Sequence, residues 1–258
     1  MSSPTDLTRY LRLVYRLPLA ILHMFIATPI TVLCQFGPLG RIQVAGKPFS
    51  IVMSIWWSKS LCRIFGLEHR VTGEFRPGAQ LLVANHISWI DIMVLHSLCP
   101  VGFVAKAEID EWPVLGFVAR SGGTVFHRRG SHNSASGVAT VMADRLREGH
   151  PMAIFPEGGI LPGAGIKHFH ARLFAAAIEA QAPVQPVMLR YLQDGRHYDD
   201  ITFLKGEHFV GNFFRLLTQK KSVADVHVLA PINPADKQRR ELASSSEQAI
   251  RAAFDAGL

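Results

Sequence analysis

Leu81-Leu82-Val83-Ala84-Asn85-His86-Ile87-Ser88-Trp89-Ile90-Asp91 joins an unbroken apolar run to a polar turn, and Ile92-Met93-Val94-Leu95 follows directly. An apolar run of strand length predicts a buried strand, and the segment after the turn predicts a helix. His86 then sits in the turn at the carboxyl end of a strand, where open α/β sheets place their ligands. Asp91 falls in the first helical turn, from which a carboxylate reaches back to an imidazole in the preceding loop, fixing its tautomer and stabilising its cation. A histidine held that way is a competent general base. The same residues also read as a Ser88-x-x-Asp91 capping box, in which the acid only satisfies backbone donors and His86 is an ordinary loop residue. This stretch alone leaves both readings open.

Outward from it, apolar runs of strand length alternate with helical patterns from Glu68 onward. The fold class expected is α/β, a mixed, mostly parallel sheet flanked by helices, with an N-terminal membrane-associated helical pair. Strands are expected near 70–72, 81–84, 101–105, 124–127, 152–155, 184–189, 200–203 and 223–229. Helices are expected near 89–97, 113–121, 134–148, 167–181, 207–218 and 245–255. A chain of 258 residues suits one catalytic-sized domain, expected at 67–258, with an appended segment at 1–66.

That segment is both apolar and basic. The net charge is +7, and residues 1–70 hold eight Lys or Arg against Asp6 and Glu68, which places +6 of it there. Basic residues interleaved with apolar runs suit an anionic membrane surface better than nucleic acid. Leu17 to Phe36 is nearly long enough to cross a bilayer, but Pro18 and Pro29 are expected to interrupt the helix, and His23 and Gln35 are costly at depth. Basic residues flank both ends, Arg9, Arg12 and Arg16 before and Arg41 and Lys47 after, so both ends favour the cytoplasm. Ile51 to Phe65 carries Trp56 and Trp57 with Lys59 and Arg63, the makeup of an interfacial helix. Residues 7–66 are therefore expected to dip into one leaflet, with a single spanning helix as the alternative. Cys34, Cys62 and Cys99 are odd in number and in no CxxC pattern, so reduced, buried thiols are expected.

Asn85-His86-x-Ser88-Trp89-x-Asp91 resembles the first block of the glycerophospholipid acyltransferase family, which includes 1-acylglycerol-3-phosphate acyltransferases. Gly122-Gly123-Thr124-Val125-Phe126-His127-Arg128 resembles its second block, Phe155-Pro156-Glu157-Gly158 its third, and Ala182-Pro183-Val184-Gln185-Pro186-Val187 its fourth. A lone HxxxxD is a weak signal, but four blocks in order are a strong one. The resemblance covers roughly residues 65 to 230.

The resemblance implies a catalytic pair, His86 and Asp91, and a substrate-binding set of Arg128, Glu157, Gly158 and Lys106. Arg128 is the candidate for the acceptor's phosphate, since a guanidinium presents paired donors to it. Glu157 is the candidate to bond an acceptor hydroxyl or orient Arg128, against a plain turn with a solvated acid. Gly158 would let a head group approach the backbone. Lys106 is read as a phosphate or pantetheine-arm ligand, or as a surface lysine. Three departures stand out: Val125 where an aromatic is usual, His127 where an acid is frequent, and Gly159-Ile160-Leu161 in place of Thr-Arg-Ser. The last removes a phosphate-binding arginine, with Lys167 and Arg172 nearby.

The activity implied is O-acyl transfer from acyl-CoA or acyl carrier protein to the hydroxyl of a lysolipid, first 1-acylglycerol-3-phosphate, alternatively a lyso-ornithine lipid. The rivals are a non-catalytic lipid-binding protein and a thioesterase. No cofactor, metal or nucleic acid is expected; His168 and His170 alternate and so share no helix face. The partners expected are membrane lipids, the lysolipid and the acyl donor, at a bacterial-type inner membrane with the catalytic domain facing the cytoplasm. Ser88 is expected to act as a cap, and 209–217 as a core-facing helix.

Overall fold

The computed structural model describes residues 7–257 apart from 108–110, 112–119, 121–122, 128–131 and 161–164. A helix α1 runs from Leu7 to Leu33 and is followed, after a two-residue hairpin of Gln43–Val44 with Lys47–Pro48, by α2 (Phe49–Ile64). The strands are β1 (Leu67–Thr72), β2 (Leu81–Ala84), β3 (Gly102–Lys106), β4 (Val125–His127), β5 (Met152–Ile154), β6 (Val184–Gln193) and β7 (Ser222–Val228). Between and after them come α3 (Asp91–Leu98), α4 (His132–Arg147), α5 (Ala175–Glu179), α6 (Phe209–Thr218) and α7 (Arg239–Asp255).

The strand order is β1-β7-β6-β2-β5-β3-β4. β6, β2, β5, β3 and β4 are mutually parallel, while β7 is antiparallel to β6 and parallel to β1. Leu81 to Ala84 are fully buried, and their alternation divides the core between the two faces of the sheet. Leu82 and Ala84 pack with Trp57, Leu61, Val94 and Leu217 from α2, α3 and α6. Leu81 and Val83 pack with Met142, Ala176 and Ile250 from α4, α5 and α7. The sheet is thus flanked by helices on both faces, as the alternating pattern implied.

Four details differ from the sequence reading. The helix of α1 continues through Pro18, although a proline there lacks the N–H for one intrahelical bond. The irregularity comes instead as a π turn at His23–Ala27, and Pro29 falls second in the stretch that follows, where its ring is tolerated. Residues 200–203 form no strand. β6 overshoots β2 and pairs with Arg196–His197 through the two-residue turn Asp194-Gly195, both at positive φ, and a 3₁₀ turn at Asp199–Ile201 follows. The expected helix at 167–181 is shortened to a 3₁₀ turn (Ala171–Phe174) and α5, because the N–H groups of Lys167, Phe169 and His170 are bonded to Glu157, Glu247 and Pro156. The expected helix at 113–121 lies, but for Arg120, outside the described residues.

The basic N-terminus is turned inward at its key positions. Arg16 is buried, and its Nη1 donates to the carbonyls of Phe65 (3.3 Å), Leu217 (3.2 Å) and Gln219 (2.8 Å). Arg12 donates to the Thr218 carbonyl at 2.7 Å, and Arg9 Nε to the Thr218 hydroxyl at 3.0 Å. The ends of α2 and α6 carry carbonyls with no intrahelical donor and the negative pole of each helix, so a cation satisfies both. Arg9, Arg12 and Arg16, read from sequence as flanking charges of an apolar segment, are therefore clamps. Gly66, at φ +74, makes room: a Cβ there would collide with the Arg16 guanidinium.

Replacing Arg16 with Met is expected to destabilise the protein by about 3 kcal/mol, roughly 1 kcal/mol for each carbonyl left without its donor. Chemical denaturation in detergent micelles, followed by tryptophan fluorescence, measures this; a loss below about 0.5 kcal/mol would show that the clamp is dispensable.

Candidate active site

The site begins with Asn85, whose side chain continues the β2–β6 pairing one step beyond the last backbone pair. Its Nδ2 donates to the Leu189 carbonyl (2.9 Å) and its Oδ1 accepts from the Leu189 N–H (2.8 Å). The backbone is thereby fixed just before it turns. Ser88 Oγ donates to the Ile201 carbonyl at 3.0 Å, and Trp89 Nε1 to Asn212 Oδ1 at 2.8 Å, which tie the turn to the 199–201 segment and to α6. Ser88 is thus a tether to that segment and not the cap expected of it, since its hydroxyl is spent on a carbonyl.

His86 Nδ1 lies 2.8 Å from Asp91 Oδ2. The same oxygen accepts the Ile87 and Ser88 N–H groups at 2.7 and 2.8 Å, while Oδ1 accepts the Tyr191 hydroxyl at 2.5 Å. Asp91 therefore performs both roles weighed from the sequence at once: it satisfies backbone donors of the turn and holds the imidazole. An ionised carboxylate has no hydrogen to give, so Nδ1 carries the ring proton and Nε2 of the neutral ring keeps its lone pair. The Asp91 side chain is completely enclosed, whereas that of His86 remains 14% exposed, so a reactant meets the imidazole and not the acid. Burial, reinforced by the Asp91 charge, pushes the Tyr191 phenol well above its usual range and keeps it a donor. Phe155 stacks on the His86 ring with centroids 4.1 Å apart and planes 17° from parallel, fixing the ring's orientation.

Glu157 is not the solvated acid of a plain turn. It is buried; Oε2 accepts the His86 N–H at 2.7 Å and Oε1 the Lys167 N–H at 2.9 Å. Both oxygens are engaged in bracing the turn; Arg128, which the carboxyl was expected to orient, is not among the described residues. Burial pushes its pKa above the usual range, against the pull of those two N–H bonds. Gly158, at φ +75, is exposed beside the His170 ring. Lys106 ends β3 in register with His127 at the end of β4, so its backbone reaches the same sheet edge as His86. Arg128 lies outside the described residues. His168 pairs with Glu247 at 3.0 Å. Burial raises the Cys62 thiol to about 12 and that of Cys99 to about 11, which leaves neither as a thiolate nucleophile.

Sequence reasoning assigned no role to Tyr191, Phe155 or Asn85. Asn85 and Phe155 belong to the motif blocks, where their positions were visible but their partners were not. Tyr191 stands 100 residues from Asp91 in the chain, and only the β2–β6 pairing brings it near.

Comparison with known proteins bears on the family and the fold. A family model described as Acyltransferase matches residues 68–190, which include His86, Asp91, Arg128 and Glu157. A lyso-ornithine lipid O-acyltransferase of Pseudomonas aeruginosa is 38% identical over 199 residues, 77% of this chain and 77% of that protein. A 1-acyl-sn-glycerol-3-phosphate acyltransferase of Neisseria gonorrhoeae is 32% identical over 188 residues, 72% of this chain and 74% of that protein. The crystal structure of the 1-acyl-sn-glycerophosphate acyltransferase PlsC of Thermotoga maritima superposes with a TM-score of 0.74 over 97% of both chains at 18% identity, a likeness of fold. A buried acid holding an imidazole at the sheet edge, motif blocks in order and relatives aligned over most of their length lead to one conclusion: this chain belongs to the glycerophospholipid acyltransferase family.

Proposed function

We propose that this chain transfers a fatty acyl group from acyl-CoA or acyl carrier protein to the free hydroxyl of a lysolipid, with His86 as general base and Asp91 as its positioning acid. The observation that carries the proposal is the Nδ1 contact of His86 with a fully enclosed Asp91, which leaves Nε2 to meet a hydroxyl. As the acceptor oxygen attacks the thioester carbonyl, its proton passes to Nε2 and a C–O bond forms. The tetrahedral intermediate then breaks its C–S bond, and the imidazolium returns the proton to the departing thiolate. The ester and the free thiol account for all atoms. General base catalysis of this kind is worth about 10²- to 10⁴-fold.

The acceptor we place first is a lyso-ornithine lipid. Supporting it are the 38% identity to such an acyltransferase and the Gly159-Ile160-Leu161 stretch, which lacks the arginine common in the phosphate-binding pattern. The second reading, 1-acylglycerol-3-phosphate, is the acceptor the motif blocks implied first, and the Neisseria relative supports it.

Membrane association follows from the family and from an inverted α1. Its polar residues Arg16, His23, Thr28 and Thr31 are buried against the protein. Leu7, Leu11, Val14, Leu22, Phe25, Ile26 and Leu33 face outward, and Val14 and Phe25 keep 70% and 71% of their surface exposed. A soluble helix would show the opposite arrangement. Within the polar side, Trp57 Nε1 donates to Thr28 Oγ1 (2.9 Å), Gln35 Nε2 to Ser54 Oγ (2.9 Å) and the Ser50 carbonyl, and Ser60 Oγ lies 3.4 Å from His23 Nδ1, so both residues judged costly at depth are hydrogen-bonded within the protein. We place residues 1–66 in one leaflet of a bacterial-type inner membrane, with 67–258 as a catalytic domain facing the cytoplasm. A lysolipid then keeps its chain in lipid, where each CH₂ is worth about 0.8 kcal/mol, while its head group reacts.

Thiol release from an acyl-CoA on adding lysolipid is the direct assay. His86→Ala is expected to lose at least about 10²-fold in kcat with membrane binding unchanged; near-normal transfer would end the mechanism. Release without lysolipid would identify a thioesterase instead.

Tyr191→Phe is expected to lower kcat by about 10-fold at unchanged acceptor KM, because Asp91 loses its charge-assisted donor; wild-type kcat would show that Oδ1 does not matter. In liposome flotation, the double variant Val14→Lys, Phe25→Lys is expected to bind at least about 10-fold more weakly, since each lysine is costly in hydrocarbon. Undiminished flotation would remove the lipid role of this face.

A further inference from the structure

The helical spacing of 209–217 predicts a core-facing helix, and on one side α6 is one. Leu216 and Leu217 are buried, and Phe213 packs on the rings of Phe65 and Trp89 with centroids 5.2 and 6.3 Å away. The other side is not covered: Val210 keeps 62% and Phe214 42% of their surface exposed, and Leu204, in the loop before them, is exposed as well. A single exposed apolar residue is ordinary, whereas a group of them marks an interaction surface. Beyond residue 66, the exposed large apolar side chains among the described residues are Val71, Val141, Leu204, Val210 and Phe214, so three of the five belong to α6 and the loop that leads into it.

Their place in the fold says what covers them. α6 lies on the sheet face that also carries α2, and α1 packs against it, with Arg9 and Arg12 bonded to Thr218 at its end. The opposite face, built by α4, α5 and α7, shows only Val141 of these residues. The uncovered side of α6 therefore adjoins the helix whose own apolar face points outward. Basic residues border it: 204–221 hold Lys205, Arg215, Lys220 and Lys221 against Glu207, four minus one or +3, with Lys220 and Lys221 beside the exposed acids Asp194 and Glu68. Apolar side chains rimmed by lysines match the boundary between acyl chains and anionic head groups.

We propose that α6 is a second lipid contact, made by the catalytic domain itself, in which Val210, Phe214 and Leu204 enter the head-group boundary of the leaflet that receives α1. This rests on the membrane placement of α1. The consequence reaches the active site through the inner side of α6, where Asn212 Oδ1 accepts the Trp89 indole N–H at 2.8 Å and Phe209 meets the same ring at 5.3 Å. Trp89 stands three residues from His86, so a helix seated at the boundary fixes the turn of the general base near the depth at which a lysolipid presents its hydroxyl.

The test uses the full chain with vesicles of phosphatidylethanolamine and phosphatidylglycerol. p-Benzoylphenylalanine placed at 210 or at 214 is expected, on illumination, to form at least about 10-fold more adduct with radiolabelled phospholipid than the same group placed at 141. In flotation, Val210→Asp is expected to bind about 10-fold more weakly, whereas Val141→Asp, the same change of charge on the opposite face, shifts binding by less than about twofold. Val210 lies in the first turn of α6, where an acid suits the helix, so the variant keeps its fold. Adduct yields at 210 and 214 no higher than at 141 overturn the proposal. So does a protein–protein adduct in place of the lipid one, which would assign the face to a second copy of the chain. The double variant Val14→Lys, Phe25→Lys separates the two claims: undiminished flotation there removes the lipid role of α1, whereas a loss there without lipid adduct at 210 or 214 removes only the contact of α6.

Discussion

The carboxylate of Asp91 has no solvent contact, and an enclosed charge costs several kcal/mol unless donors surround it. Four do: two N–H groups from the turn, the phenol of Tyr191 and the imidazole of His86. Each comes from a different constraint. The N–H groups point inward because the chain turns between β2 and α3, the phenol because β6 pairs with β2, and the imidazole because it is sandwiched against Phe155. Any change that moves one of these elements leaves a buried charge short of a donor. The position of the general base is thus tied to the register of the sheet.

Glu157 extends the same logic one shell outward. Its oxygens accept from the backbones of His86 and Lys167, a bracing role that the motif after β5 did not reveal. Two carboxylates therefore hold one histidine, Asp91 through its ring and Glu157 through its main chain. The division leaves the polar surface facing a substrate to residues that lie on loops, which is where a rigid α/β scaffold carries variable specificity.

The N-terminal helix is joined to this frame by arginines that cap other helices. Arg16 satisfies carbonyls at the ends of both α2 and α6, and α6 in turn receives Trp89 through Asn212. A continuous set of contacts runs from the outward apolar face of α1 to the turn that bears His86. Charge that composition alone assigned to a membrane surface is here partly consumed in fixing that face to the catalytic domain.

The sequence by itself determined the α/β class and the strand and turn around His86, because these rest on local patterns, an unbroken apolar run and a turn; it offered the His86–Asp91 pairing as one of two readings of residues close in the chain. It also carried the Asp194-Gly195 hairpin signal, which the strand assigned to 200–203 obscured. What only the tertiary structure decided are contacts between residues far apart in the chain: Tyr191 on Asp91, Glu157 on His86, Arg16 on the ends of two helices. Residue type shows that a tyrosine, a glutamate or an arginine can donate or accept. Which partner it meets is set by strand register and helix packing, and burial then turns those meetings into obligations, since a polar group removed from water must be paired where it stands.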